Sequence, residues 1–300
     1  MRLHDVTAYS IRILCLALLC VGAHAQKKKQ APFSWVNQPA KSLPSGVSHS
    51  SFKSQSMGGE VGYCIYLPPG YDSGAAQRYP VVYHLHGGRP GSELKSVSLA
   101  QFVDRAIRAG EIAPTIYVFP NGGPMSWYNY PQEQNGLGED VFIKELIPHI
   151  DQTYLTLASR GGRAIEGFSQ GGRGATRIMF KYPQLFCSAA PGGSGYGPEK
   201  RIRENGGAES EMVKFAPGYN TWDLAESYCD RQDKPELNIL LWVGTKGFNY
   251  ESNLEFSDFL NGLKVPHQKL IAGGVAHSAR GIYEKRGLEL MRFHQRNFSR

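Results

Sequence analysis

A serine between two glycines, at the junction of a strand-like and a helix-like segment, constrains the fold of this chain most. The pentapeptide Gly-Phe-Ser-Gln-Gly at residues 167–171 follows a strand-like run at 163–166 and precedes a helix-like run at 172–182. In such an elbow the glycines keep side chains out of a crowded turn, and the serine hydroxyl is held out for attack. This context favours Ser169 as a nucleophile over a chance match in a glycine-rich loop.

Strand-like and helix-like segments alternate along the chain. Strand-like runs at residues 114–120 and 163–166 alternate with helical patterns at residues 139–150 and 172–182. This alternation predicts βαβ units, and therefore an α/β fold with a mostly parallel central sheet and helices on both faces. The length of 300 residues suits one domain of this class, which we place at residues 51–300.

A nucleophilic serine needs a base, and chain order narrows the choice among nine histidines. The elbow fold arranges its triad as serine, acid and histidine along the chain, so only His267, His277 and His294 come late enough. His267 begins a strand-like run, and His294 lies in the C-terminal helical segment. His277 lies in a glycine-bearing loop between them, from which an imidazole can reach Ser169. We predict that His277 is the general base.

An earlier strand-like run ends in a His-Gly-Gly sequence that resembles the oxyanion loops of lipases and esterases. The backbone N–H groups of such a loop face the reacting carbonyl. We predict that the N–H groups of Gly88 and Gln170 form the oxyanion hole, with Gly87 as second choice for the loop donor. His86, and His84 two residues earlier, are expected to pack and orient the loop.

Taken in order, these motifs resemble the putative-esterase branch of the α/β-hydrolases, which includes esterase D and the feruloyl and acetylxylan esterases. The matching stretches are residues 63–71, the His-Gly-Gly loop, residues 118–123, the elbow, and residues 243–245 with His277. The resemblance implies an α/β-hydrolase fold and a serine esterase that hydrolyses acetyl or feruloyl groups on carbohydrates, with Ser169 and His277 at its centre. A small-molecule or polysaccharide ester is the substrate it implies.

The resemblance fails at the third triad position, where the family usually has aspartate in a Gly-Thr-x-Asp pattern. This chain has Gly247 there, and loss of the carboxylate can cost about 10⁴-fold in turnover. Glu251 is the substitute that we favour, because its longer side chain can reach back, and the alternatives are Asp223 and Asp258. A working Ser169–His277 pair without an acid also fits the sequence.

Two other functions remain open at this stage. One is a degenerate α/β-hydrolase that binds carbohydrate without catalysis, which the glycine at position 247 motivates. The other is an acyltransferase, which differs from an esterase only in the acceptor. The sequence does not identify the acceptor.

Two stretches interrupt the regular pattern at the predicted carboxyl edge of the sheet, where loops build ligand sites. They are residues 125–131 and about 192–222. The first contains Trp127, Tyr128 and Tyr130, whose flat faces can stack on a sugar or an aromatic acyl group, or can fold inward as a hydrophobic lid. The sequence weighs these two alternatives equally.

The N-terminal residues have the pattern of an export signal. Arg2 and Arg12 lead into an apolar run, and a small-x-small sequence ends at Ala25. We therefore expect a signal peptide at residues 1–25, a flexible linker at residues 26–50, and a secreted or periplasmic protein. The apolar run is too short for a stable membrane span.

Charge, cysteine content and motifs argue against a nucleic-acid-binding, a disulfide-rich or a metal-binding protein. The formal net charge of +7 falls to +3 without residues 1–29, and no basic stripe interleaved with aromatic residues indicates nucleic-acid binding. Removal of the signal leaves Cys64, Cys187 and Cys229, which allow one disulfide at most. The motifs of zinc and calcium sites are absent from the sequence, so we expect no metal or other cofactor.

Overall fold

One eight-stranded sheet organises the part of the chain that the computed structural model describes, residues 32–133 and 136–299. The spatial order is β1-β2-β4-β3-β5-β6-β7-β8. The strands are β1 Val47–Ser54, β2 Gly59–Tyr66, β3 Val81–Leu85, β4 Ile116–Pro120, β5 Arg163–Phe168, β6 Ser188–Gly192, β7 Asn238–Lys246 and β8 Gln268–Ala276. Strand β2 pairs antiparallel with β1 and β4, and all other pairs are parallel. The predicted mostly parallel sheet is confirmed.

Helices follow most of the parallel strands. They are α1 Ala100–Arg108, α2 Gly138–Asp140, α3 Ile147–Thr153, α4 Gln170–Lys181, α5 Tyr196–Glu204, α6 Thr221–Asp230, α7 Tyr250–Gly262 and α8 Ala279–Asn297. A π-helical stretch, Val141–Leu146, joins α2 to α3. Among the described helices, none is both long and apolar enough to cross a membrane.

The core lies on both faces of the sheet, because successive strand side chains point to opposite sides. Val81, Tyr83 and Leu85 of β3 belong to one hydrophobic cluster, which also contains residues of α3, α4, α6 and α7. Val82 belongs to a second cluster with residues of α1 and α8. Helices therefore cover both faces, as predicted. All of the strand residues of β3, β4 and β5 are buried, including the polar side chains of His84, Arg163 and Glu166.

The predicted signal peptide lies outside the described residues, but the predicted linker at residues 26–50 is wrong over most of its length. Phe33 to Arg300 form one unit. The Trp35 side chain is buried in the core, and its carbonyl accepts a hydrogen bond from the Gly62 N–H at 2.8 Å. Asn37 donates its N–H to the buried Glu93 carboxylate at 2.6 Å. The proline- and serine-rich composition concealed these two points of attachment.

The cysteines of the described region are not paired. Cys64, Cys187 and Cys229 are all free thiols, and the first two are buried. Burial raises the pKa of the Cys64 thiol to about 12, so it stays protonated. These residues pack as small apolar side chains.

Replacement of Trp35 tests whether the N-terminal segment belongs to the folded body. Trp35→Ala should lower the free energy of unfolding by about 3 kcal/mol, because it removes a large buried side chain. Lys41→Ala is the matched control, since Lys41 is exposed in the same segment and should change stability by about 0.5 kcal/mol at most. Urea denaturation of both variants measures the difference. Equal stabilities would mean that the segment is only loosely attached.

Candidate active site

The elbow after β5 forces Ser169 into an unusual backbone conformation. Its φ is 60° and its ψ is −113°, and its N–H donates to the Gly192 carbonyl at 2.8 Å. The flanking glycines are required by space. A Cβ at Gly167 would lie 2.4 Å from the Gly171 carbonyl oxygen, and a Cβ at Gly171 would lie 1.9 Å from the Leu85 carbonyl oxygen. The chain therefore turns sharply from strand to helix, with the serine side chain at the apex.

The structure brings Ser169 and His277 together. The Ser169 Oγ lies 2.9 Å from the His277 Nε2. His277 follows directly on β8, which extends to Ala276 and so includes most of the segment predicted as a loop. Where β7 pairs with the carboxyl end of β8, the register shifts between Gly244 and Lys246 of β7. Irregularities of this kind are common beside active sites, where they redirect a side chain.

The other nitrogen of the His277 ring contacts an amide. Its Nδ1 lies 3.2 Å from the Asn249 Oδ1. The Asn249 Nδ2 donates to the carbonyls of Gly193 and Ser194, the latter at 3.0 Å, which fixes the amide with its oxygen toward the imidazole. Asn253 braces the same place by donating to the Ser194 carbonyl at 2.9 Å. An amide oxygen only accepts, so the His277 Nδ1 carries the proton and Nε2 is free to accept from the serine.

The favoured acid, Glu251, is wrong as a partner for His277. Glu251 is exposed on the first turn of α7, and Asn249, two residues earlier, occupies the position beside the imidazole. Asp258 is also exposed, and Asp223 pairs with Arg203 at 3.1 Å. Sequence reasoning looked only for carboxylates and so missed Asn249. The signal was present, because Asn249 lies just two residues after the glycine in the family's aspartate position.

Gly247 nonetheless lies close to the histidine. A Cβ there would be 3.7 Å from the His277 Cα and 3.2 Å from the Asn249 Oδ1, and its φ is not in the left-handed region. The position expected for the family's aspartate is therefore next to the imidazole. A side chain added at Gly247 would compete with Asn249 for that space.

The His-Gly-Gly loop lies against the nucleophile. A Cβ at Gly87 would lie 3.2 Å from the Ser169 Cβ, and Gly88 has a φ of +72°, which glycine tolerates best. Lys95 holds the loop by donating to the carbonyls of Gly87 at 3.4 Å and Pro90 at 2.5 Å. The Gln170 N–H belongs to the first turn of α4, where N–H groups have no acceptor within the helix. The His-Gly-Gly loop and the start of α4 thus both lie next to the nucleophile, and the oxyanion role of the Gly88 and Gln170 N–H groups stays a prediction.

His86 orients this loop, as its position in the sequence suggested. Its Nε2 accepts from the Gly122 N–H at 3.1 Å, its Nδ1 contacts the Gly87 carbonyl at 3.1 Å, and its ring packs 4.7 Å from Trp127. Burial, reinforced by the charge of Lys95, lowers the pKa of His86 to about 3. A neutral imidazole keeps both hydrogen bonds, so His86 is structural.

The remaining histidines that chain order allowed are engaged elsewhere. His267 contacts the Ser257 hydroxyl at 2.7 Å and the Val265 carbonyl at 2.9 Å. His294 is buried beside the Ser188 hydroxyl at 2.8 Å. The buried carboxylate of Glu166, three residues before the nucleophile, contacts His84, His294 and Tyr283. These contacts fix β5 against its neighbours beneath the elbow.

The aromatic residues of the first insertion fold inward. Trp127, Tyr128 and Tyr130 are all buried, and the Trp127 Nε1 donates to the His86 carbonyl at 3.1 Å. The Arg177 guanidinium lies 3.5 Å from the Tyr128 ring centroid, and Phe215 stacks on that ring at 4.1 Å. The structure therefore selects the inward arrangement of the two that the sequence left open. None of these three faces is free to stack on a sugar.

A carboxylate ties the second insertion to the site. Glu209 accepts from Arg89, which follows the His-Gly-Gly loop, at 2.7 Å, and from Arg173 of α4 at 2.9 Å. Burial alone would raise the pKa of Glu209, but the two guanidinium charges lower it below its ordinary value. Arg173 also pairs with the buried Glu199 at 2.6 Å. We call Glu209 with Arg89 and Arg173 the brace.

Comparison with known proteins identifies the family. A family model described as "Putative esterase" matches residues 54–279. Curated esterases of two Mycobacterium tuberculosis strains are 33% identical over 252 residues, which cover 77% of this chain and 53% of theirs. An endo-1,4-beta-xylanase/feruloyl esterase of Xylanibacter ruminicola is 32% identical over 147 residues, covering 47% of this chain and 20% of that protein. The chain thus spans about half the length, or less, of these curated relatives.

Solved structures agree on the fold. A ferulic acid esterase superposes with a TM-score of 0.68 at 22% identity, covering 84% of this chain and 98% of that one. A serine elbow at the carboxyl edge of a mostly parallel sheet, with a histidine after the last strand, defines the class of α/β-hydrolases. Within that class, the chain belongs to the putative esterase family.

Replacement of Asn249 tests its contact with His277. Asn249→Ala should reduce kcat on an activated ester by roughly 10²-fold, because the imidazole loses the group that fixes its tautomer. Asn249→Asp should also have a lower kcat than the wild type, since the second carboxylate oxygen would face the carbonyls of Gly193 and Ser194. Glu251→Gln should stay within a few-fold of the wild type. Circular dichroism checks that each variant folds, and a large loss in Glu251→Gln would contradict the arrangement.

The pH dependence of kcat/KM tests whether His277 has an uncharged partner in Asn249. Burial lowers the pKa of His277 below its ordinary value of 6.5, and a base must be neutral to accept the serine proton. The kcat/KM should therefore be constant above that pH and fall only as the pH drops through the lowered value. Gly247→Asp should move this acid limb to higher pH, because a nearby carboxylate stabilises imidazolium. A wild-type limb above pH 6.5 would indicate an unrecognised acid.

Proposed function

We propose that this chain is a serine esterase that hydrolyses carboxylic esters through an acyl-enzyme. The observation that carries the proposal is the 2.9 Å contact between the Ser169 Oγ and the His277 Nε2 at an elbow with positive φ. A serine hydroxyl becomes a competent nucleophile when a neighbouring base takes its proton. Membership of the esterase family supports the same reaction.

The proposed mechanism has two steps. In the first, the Ser169 Oγ attacks the ester carbonyl, His277 takes the hydroxyl proton, and the tetrahedral oxyanion is held by the N–H groups of Gln170 and Gly88. His277 then gives that proton to the leaving alcohol as the carbon–oxygen bond breaks. In the second step, His277 activates water, which releases the acid and restores the serine. Asn249 keeps the imidazole in the tautomer that both steps need.

The proposed substrate is an acyl group on a carbohydrate, either acetyl or feruloyl. Support comes from relatives, because the Xylanibacter ruminicola protein is named a xylanase/feruloyl esterase and a similar solved structure is a ferulic acid esterase. The export pattern in residues 1–25 fits an enzyme that meets such polymers outside the cytoplasm. We therefore propose a secreted or periplasmic location.

Two other functions were open from the sequence. The degenerate, carbohydrate-binding alternative was motivated by Gly247, and the contact between Asn249 and His277 removes much of that motive. Acyl transfer to a sugar alcohol uses the same centre, and it differs from hydrolysis in the acceptor alone.

Replacement of the nucleophile tests the proposal directly. Ser169→Ala should abolish hydrolysis of p-nitrophenyl acetate while the thermal midpoint stays nearly constant, because one partly exposed hydroxyl is removed. A fluorophosphonate probe should label the wild type at Ser169 and should not label the variant. His277→Ala should lose as much activity, and the double variant little more, because the two residues act as a unit.

His267→Ala is the matched control, since His267 makes hydrogen bonds outside the site. It should stay within a few-fold of the wild type. Unchanged turnover in Ser169→Ala, or loss of activity in His267→Ala, would contradict the proposed centre.

A further inference from the structure

One aromatic side chain at the site is unusually exposed. Phe248 is 84% exposed, and within the described residues only one other large hydrophobic side chain, Met212 at 87%, is as open to solvent. An isolated exposed apolar residue is ordinary on a protein surface. Phe248 differs because of what it touches.

Phe248 lies directly beside the candidate base. Its ring centroid is 4.3 Å from that of His277, at an interplanar angle of 46°. Phe168 also lies near the imidazole, at 4.6 Å, but it is buried and has no free face. Phe248 is therefore the aromatic neighbour of His277 that an incoming molecule can contact.

The backbone around Phe248 is fixed on both sides. The Gly247 N–H donates to the Gly244 carbonyl at 3.0 Å, and the Tyr250 N–H donates to the Gly247 carbonyl at 3.0 Å. The next residue, Asn249, is held by the carbonyls of Gly193 and Ser194. The exposed ring is thus carried by a backbone turn that is held on both sides of Phe248.

The chemistry of ester cleavage decides which half of a substrate meets this ring. As the carbon–oxygen bond breaks, His277 must deliver its proton to the leaving oxygen, which therefore lies within about 3 Å of Nε2. The group attached to that oxygen is the alcohol half of the ester. That half leaves the site past His277, and Phe248, with its ring centroid 4.3 Å from that of the imidazole, is the exposed aromatic side chain beside it.

We propose that Phe248 forms the binding surface for the alcohol half of the ester, and that this alcohol is a sugar ring. An aromatic face packs well on the flat C–H face of a pyranose. The buried rings of Trp127, Tyr128 and Tyr130 cannot supply such a face. This inference rests on the proposed function. In the reverse direction, the same surface would hold a sugar acceptor that attacks the acyl-enzyme.

The test compares two acetyl esters that differ only in the alcohol, ethyl acetate and an acetylated methyl β-xyloside. Phe248→Ala should lower kcat/KM for the xyloside about 3- to 10-fold more than for ethyl acetate, the range that aromatic stacking supports. Phe248→Trp should retain the preference for the xyloside. Met212→Ala is the matched control, since it removes an equally exposed apolar side chain and should leave the ratio unchanged.

Acyl partitioning provides a second measurement. With methyl β-xyloside added as acceptor, the acyl-enzyme divides between water and the sugar, and Phe248→Ala should reduce the share transferred to sugar. Equal losses on both esters, or an unchanged ratio in Phe248→Ala, would overturn the proposed surface while esterase activity remained. A wild type that cleaves ethyl acetate but not the xyloside would overturn the sugar alcohol. Inactivity on both esters together with unlabelled Ser169 would instead refute the proposed function and this inference with it.

Discussion

A contact between two backbones, at the elbow, is the constraint on which the rest of the site depends. Gly171 in the first turn of α4 comes so near the Leu85 carbonyl, at the end of β3, that no side chain fits between them. This contact sets the angle at which the helix leaves the strand, and it places the loop after β3 beside Ser169. A non-glycine residue with positive φ costs on the order of 1–3 kcal/mol, so the surrounding packing must hold it. The bond from the Ser169 N–H to the Gly192 carbonyl is part of that support.

The amide of Asn249 performs one of the two tasks that a carboxylate performs in a triad. It fixes the tautomer of His277, but it brings no negative charge to stabilise the imidazolium. The groups around position 249 account for an asparagine there in place of an aspartate. The carbonyls of Gly193 and Ser194 point at the same side chain, and they need a donor that a carboxylate lacks. Glycine at position 247 and asparagine at position 249 are therefore two parts of one arrangement.

The fold and the meeting of Ser169 with His277 could be predicted because their signals are local or follow from chain order. Strands and helices alternate along the chain, β4 is an apolar run, and the elbow has its own glycine pattern. The place of Asn249 near the family's aspartate position could be seen in the sequence, but the orientation of its amide toward His277 could not, because that depends on carbonyls more than fifty residues away in the chain. The inward turn of Tyr128 likewise depends on Arg177 beneath its ring. The segment before β1 was misjudged because a single tryptophan, Trp35, outweighs a polar composition.

The brace has a consequence for how a ligand is received. Glu209 is bound by two guanidinium groups, that of Arg89 just after the His-Gly-Gly loop and that of Arg173 in α4, so the second insertion is joined to both of these segments. A protein segment that is ordered before binding loses little conformational entropy when a ligand binds. The brace thus keeps the second insertion in place before a ligand arrives, so that the encounter is governed by diffusion and orientation. In such an encounter, discrimination between ligands is expressed mainly in how long each one stays.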